Sequence, residues 1–123
     1  MSSAQETVLE INLKALEHNY TYLKSKIKPN TKFLGVVKAF AYGSDAVKIS
    51  QKLVDLGVDY LAVAYTEEGV ALRDAGIQIP ILVLHSQPVS FDIIIERCLE
   101  PSIYSERILT EFISVAEKHG QTN

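Results

Sequence analysis

The sequence predicts an α/β fold with a parallel sheet, on three observations. Short apolar runs of strand length recur, rich in β-branched residues (Phe33–Val37, Tyr60–Ala64, Ile79–Leu84). Between them lie stripes of apolar residues at helical spacing, closed by glycines. Strand and helix alternate four times with no long linker, the pattern of helices packed outside a parallel sheet.

The elements are read in chain order. Residues 1–6 form a polar, disordered lead-in, and Thr7–Ile11 reads as a short strand. Asn12 suits the N-cap of a first helix, with Leu13, Leu16, Tyr20, Leu23 and Ile27 as its apolar stripe and Pro29-Asn30 as its stop. His18 and Tyr22 flank that stripe as surface or boundary residues. The run Phe33–Val37 suits a strand buried on both faces, and it leads directly into Lys38 and a tight passage through Tyr42 and Gly43. A helix then starts at Ser44 or Asp45, with Ala46, Ile49, Leu53 and Leu56 inward and Gly57 as its C-terminal cap. Tyr60–Ala64 is the second buried strand.

Thr66 is the expected cap of the following helix, which Gly76 ends. Glu67 and Glu68 suit the positive end of that helix, and helix-terminal electrostatics accounts for them without a metal or acid–base site. Ile79–Leu84 is the third strand, with Pro80 where a missing donor is tolerated. His85 follows on the ligand-facing side, but a lone histidine does not make a metal site, and none is assigned. Residues 88–97 read as a short helix and Leu99–Tyr104 as a fourth strand. Ser105 caps a last helix with Ile108, Leu109, Phe112, Val115 and Ala116 inward and Gly120 at its end. Cys98 reads as a buried structural thiol.

Four such units are about half of a TIM-type (β/α)8 barrel, which needs about 250 residues; the chain has 123. Right-handed crossovers set the carboxyl ends of all four strands on one face. The chain ends on a helix where a fifth strand is expected, so it reads as part of a longer barrel, with two sheet edges left open to self-association.

Composition narrows the function classes. The formal net charge is −3 and no long basic run occurs, so nothing points to nucleic acid or an anionic membrane surface. No apolar run is long enough to span a bilayer, and the N-terminus lacks the basic start and apolar core of a secretory signal. One cysteine allows no internal disulfide; a cytoplasmic location is expected.

Lys38 is the residue that carries chemistry. It ends a buried parallel strand, where barrel enzymes keep their active groups. Apolar surroundings disfavour an ammonium and make a lysine amine nucleophilic; the plainer reading is a lysine that snorkels to water.

The local motif, V-V-K-A-x-A-Y-G over Val36–Gly43, resembles the cofactor-lysine signature of alanine racemases, fold-type III enzymes that use pyridoxal 5′-phosphate (PLP). Asp59–Tyr65, Glu67-Glu68-Gly69 with Leu72-Arg73, and Ala75-Gly76-Ile77 followed by Pro80–Leu84 resemble that family in the same order. The likeness runs from about Thr7 to the end of the chain. The family has asparagine where Phe40 stands and His-Gly where Ser44-Asp45 stand.

The resemblance implies that residues 1–123 are the N-terminal half of a PLP-binding barrel domain, without the family's C-terminal β-domain. Lys38 would hold PLP and serve as one of two bases at the substrate α-carbon. Tyr42 would donate its hydroxyl to the cofactor phosphate, and Leu84 would line the pocket. The opposite-face tyrosine, the arginine at the pyridine nitrogen and the main phosphate loop come from later segments in the family. The strand at Thr7–Ile11 packs on the β-domain in relatives and would be orphaned here. The implied function of the parent protein is interconversion of L- and D-alanine for peptidoglycan, as a homodimer, with little activity in the 123 residues alone. The alternatives are a non-catalytic PLP-binding barrel, a fold-type III decarboxylase, a PLP-free Schiff-base aldolase, and an assembly module that pairs its open edges.

Overall fold

The computed structural model describes residues 7–121. The elements run α1 (Leu13–Ser25), β1 (Leu34–Val36), α2 (Lys38–Gly43), α3 (Ala46–Leu56), β2 (Tyr60–Val63), α4 (Thr66–Asp74) and β3 (Ile81–Val83). A 3-10 turn (Pro88–Ser90), α5 (Phe91–Glu96), β4 (Glu100–Pro101) and α6 (Glu106–Lys118) complete them. The four strands form one parallel sheet in the order β1-β2-β3-β4. Each strand therefore pairs with the next in sequence, as short right-handed crossovers dictate. This is the four-unit half of a (β/α)8 barrel.

Local chemistry sets the helix ends. The Asn12 side chain accepts from the Ala15 N–H at 3.0 Å, Asp45 from Lys48 at 3.0 Å and Ser105 from Ile108 at 3.2 Å, each satisfying an orphan donor of a first turn. Gly57 ends α3 at φ 97°, a left-handed cap that glycine adopts without steric cost. Gly35 has a different reason: a Cβ there would lie 3.0 Å from Leu53 Cδ1, so its absence lets α3 seat closely on β1.

The core lies between the sheet and its helices. Leu61, Val63, Ile81, Val83, Leu72, Phe91, Ile94 and Ile108 are buried there. Phe91 meets Phe112 edge-on at 5.1 Å, joining α5 to α6. Tyr20 of α1 tilts against Phe33 at 4.9 Å and ties α1 to the start of β1.

Several expectations are corrected. Thr7–Ile11 forms no strand, and Val8 and Leu9 are exposed: among the described residues no strand lies alongside to take up their backbone groups. The disordered lead-in assigned to residues 1–6 lies outside the described residues. β1 is not buried on both faces. Gly35 is covered by the helix layer while Leu34 and Val36 stand open, because among the described residues no element packs on that face of β1. The stripe of α1 fades at its end, where Leu23 is exposed, and Leu109 of α6 is likewise open. The N-cap of α4 is Tyr65, and Thr66 is its first helical residue. The fourth strand contracts from Leu99–Tyr104 to Glu100–Pro101, since an edge strand has one partner only and a proline. Cys98 is exposed at φ 52°, in the tight turn between α5 and β4 that swings its side chain outward.

Candidate functional site

The sheet register builds the site. Val36 pairs with Ala62, and Val63 with Val83. Val37, Val63 and Val83 are all buried, in line with Gly35 on the helix-covered face. The next residue of each, Lys38, Ala64 and Leu84, stands at the carboxyl end of its strand, Lys38 as the first residue of α2, where Val37 at ψ 24° has already left the extended backbone. They lie just past the ends of three adjacent parallel strands. Lys38 is half-buried and Leu84 exposed.

Beyond Lys38 the backbone takes an unusual course. Ala39, Phe40, Ala41 and Tyr42 have φ between 53° and 60° and ψ between 40° and 53°, so α2 winds left-handed. For residues with a Cβ this costs about 1–2 kcal/mol each, and such strain persists only where the surroundings hold it, most often at functional sites. The hydrogen bonds Ala41 N–H to Val37 O (3.1 Å) and Ser44 N–H to Phe40 O (2.9 Å) close the turn. Tyr42 is exposed on it, as is Phe40. Beneath α2, on the helix side of the sheet, lies a mostly apolar cavity of about 350 Å3, lined among others by Val37, Phe40, Asp45, Val63, Glu68 and Leu72.

Glu68 is the residue that sequence reasoning undervalued. Its Oε1 accepts from the Ala64 and Tyr65 N–H groups at 3.0 and 2.8 Å, the second being the helix-terminal contact expected of an acidic first turn. Its Oε2 also accepts from the Ala39 N–H at 2.7 Å. One carboxylate thus joins the carboxyl ends of β1 and β2, next to Lys38. The acidic pair in the first turn was a visible signal for a helix-terminal contact, although the sequence pointed to Thr66 and not Tyr65 as the cap. Nothing local in sequence signalled the contact to Ala39, 29 residues away.

His85 lies just past the carboxyl end of β3 and stacks on Tyr65, ring centroids 5.7 Å apart. Among the described residues, no three His, Cys, Asp or Glu side chains are grouped to hold a metal ion, and no helix is long and apolar enough to cross a membrane. The site as it stands is a lysine at a strand end, an exposed tyrosine four residues on, and an apolar wall. A primary amine so placed can bond to a carbonyl carbon and, when neutral, accept a proton.

Comparison with known proteins gives the same direction. Residues 11–123 match the family model described as alanine racemase, N-terminal domain. Alanine racemase 2 of Oceanobacillus iheyensis is 40% identical over 105 residues, and the alanine racemase of Thermodesulfovibrio yellowstonii 42% over 109; each alignment takes in 85% of this chain. The chain spans only 27% and 29% of the lengths of these two relatives. Among solved structures, alanine racemase of Clostridium difficile 630 superposes with a TM-score of 0.87 at 37% identity, over 89% of this chain and 29% of that one. Alanine racemase of Bartonella henselae, solved with covalently bound pyridoxal phosphate, superposes with a TM-score of 0.82 at 26% identity, over 90% and 33%. With its four-stranded parallel half barrel and its lysine at the end of β1, the chain belongs to the alanine racemase family, as the N-terminal part of the barrel domain.

Proposed function

We propose that these residues serve a PLP-dependent alanine racemase, which interconverts L- and D-alanine for peptidoglycan synthesis in the cytoplasm. The observation that carries this is the position of Lys38 in the chain: it follows the carboxyl end of β1 directly, inside the V-V-K-A-x-A-Y-G segment.

The residues present fit PLP. An amine to take its aldehyde, a phenol hydroxyl to meet a phosphate and an apolar side chain for its ring are offered by half-buried Lys38 after β1, exposed Tyr42 on α2 and exposed Leu84 after β3. Lys38 Nζ would hold the cofactor's aldehyde carbon, Tyr42 Oη would donate to a phosphate oxygen, and Leu84 would pack against the ring. When bound, PLP supplies the electron sink that allows the α-proton of an amino acid to leave. Lys38, as a free amine during turnover, takes that proton from one face of the α-carbon or returns it. A racemase needs a second base on the opposite face, and the resemblance to the family assigns that role to a tyrosine of a later segment. The 123 residues alone are therefore expected to racemize alanine little or not at all, and appreciable turnover by the pure chain would contradict this.

The open face of the sheet suits self-association or a homodimer. Leu34 and Val36 are exposed on it, and β1 and β4 are unpaired sheet edges.

The test is the visible spectrum of the purified chain with added PLP, before and after borohydride, beside Lys38→Ala. A reducible band present in the wild type and lost in Lys38→Ala is the expected result. An equal band in both would show that Lys38 is not the cofactor lysine.

A further inference from the structure

We infer that Glu68 is a positioning residue for Lys38: its carboxylate takes the place of the sheet ladder where β1 leaves the sheet. This rests on the reading of Lys38 as the cofactor lysine.

The backbone on either side of Lys38 is held differently. Before it, the Val37 N–H donates to Ala62 O at 2.9 Å, the last ladder contact between β1 and β2. After it, the chain turns into the left-handed α2 at once, with Ala39 at φ 53°. The Ala39 N–H has left the ladder, and Glu68 Oε2 accepts from it at 2.7 Å. The other oxygen is anchored by the Ala64 and Tyr65 N–H groups at 3.0 and 2.8 Å, so the carboxylate cannot swing freely. Glu68 is only half-exposed, and N–H groups hydrogen-bonded to an ionised carboxylate are held more strongly than by a neutral acceptor. The consequence is geometric. The direction in which Lys38 leaves β1, and the start of the turn that carries Tyr42, are both referred to β2 through this one side chain. Helix capping alone needs only the Tyr65 contact.

Glu68→Gln separates the two roles. A glutamine can keep its carbonyl oxygen on Ala64 and Tyr65, which leaves an NH2 facing the Ala39 N–H, donor against donor. Glu68→Asp keeps the charge but is one methylene short of spanning both strand ends. Glu67→Gln, at the exposed neighbouring position, is the control. The first readout is residue-resolved amide exchange of the 123-residue chain without PLP. Exchange at Ala39 is expected to rise about tenfold or more in Glu68→Gln and Glu68→Asp, with Val37, Leu61 and Val83 unchanged. A merely structural loss would instead speed all four together.

The second readout is trapping with PLP and borohydride, followed by mass mapping. The Lys38 nitrogen bonds to the aldehyde carbon with loss of water, and borohydride hydride then makes that bond permanent. The ratio of Lys38 to exposed Lys28 labelling is expected to fall about fivefold or more in both variants. Unchanged exchange at Ala39 would overturn the clamp. Faster exchange with an unchanged labelling ratio would overturn its role in presenting Lys38. If wild-type Lys38 labels no better than Lys28, the cofactor reading fails instead, and with it the positioning role, while the exchange data still decide whether the clamp exists.

Discussion

Phe40 stands at φ 55° and ψ 40° with 75% of its surface exposed, so it bears the left-handed cost without a packing return. Asparagine, the residue usual here in the family, visits that region far more readily because its short side chain hydrogen-bonds locally. Phe40→Asn is therefore expected to stabilise the chain by about 0.5–1 kcal/mol, a fraction of the left-handed penalty. A raised urea midpoint with an unchanged slope would check it. The neighbouring departure works the other way: Asp45, where the family has glycine, supplies a real N-cap to α3. Asp59 gives the residue scale its pH dependence. Its carboxylate accepts from the Phe33 N–H at 2.7 Å, which, with help from Lys32 and against some desolvation, holds it below its ordinary 3.8. A carboxylate depressed in the folded state contributes stability above its unfolded pKa and loses it as the pH falls through the folded one. Stability is thus expected to decline below about pH 4, and more shallowly in Asp59→Asn, as urea midpoints across that range would show.

At the scale of elements, one side chain closes the bottom of two units. Arg73 Nε donates to Arg97 O at 2.9 Å, Nη1 to Ile77 O and Ile79 O at 2.9 and 2.8 Å, and Nη2 to Cys98 O at 2.9 Å. The planar fork thereby holds the α4–β3 and α5–β4 turns together, and Arg97 pairs with Asp74 beside it. A lysine ammonium cannot reach four carbonyls in that geometry. Arg73→Lys is expected to cost about 2 kcal/mol, measurable by urea unfolding; a loss near zero would show that the fork is dispensable. Helices were the most legible elements in the sequence, because stripe, cap and glycine stop agreed: Asn12, Asp45, Gly57, Gly76, Ser105 and Gly120 all stand where the pattern put them. Strands were legible in place but not in extent. Their ends depend on partners far along the chain, so Ile79–Leu84 shortened to Ile81–Val83, and Thr7–Ile11, with no strand beside it among the described residues, formed none. The left-handed α2 was not legible, since no local rule allows four such residues in a row.

For the whole molecule, the asymmetry of the sheet governs behaviour. One face is closed by helices, while Leu34 and Val36 on the other are 42% and 38% exposed beside an unpaired edge. Sedimentation of the 123-residue chain is expected to show self-association that dissociates on dilution and weakens in Val36→Glu, which places a charge on the open face. A concentration-independent monomer would contradict it. The sequence alone determined the alternation of strand and helix, the parallel order that short crossovers impose, and the lysine at the end of β1, because each follows from local spacing or from connections between neighbours. Only the tertiary structure decided which face of β1 is open, where the strands stop, and that Glu68 reaches Ala39. Those depend on register between segments distant in sequence, and hydrogen bonds made across a sheet leave no trace in the local pattern of residues.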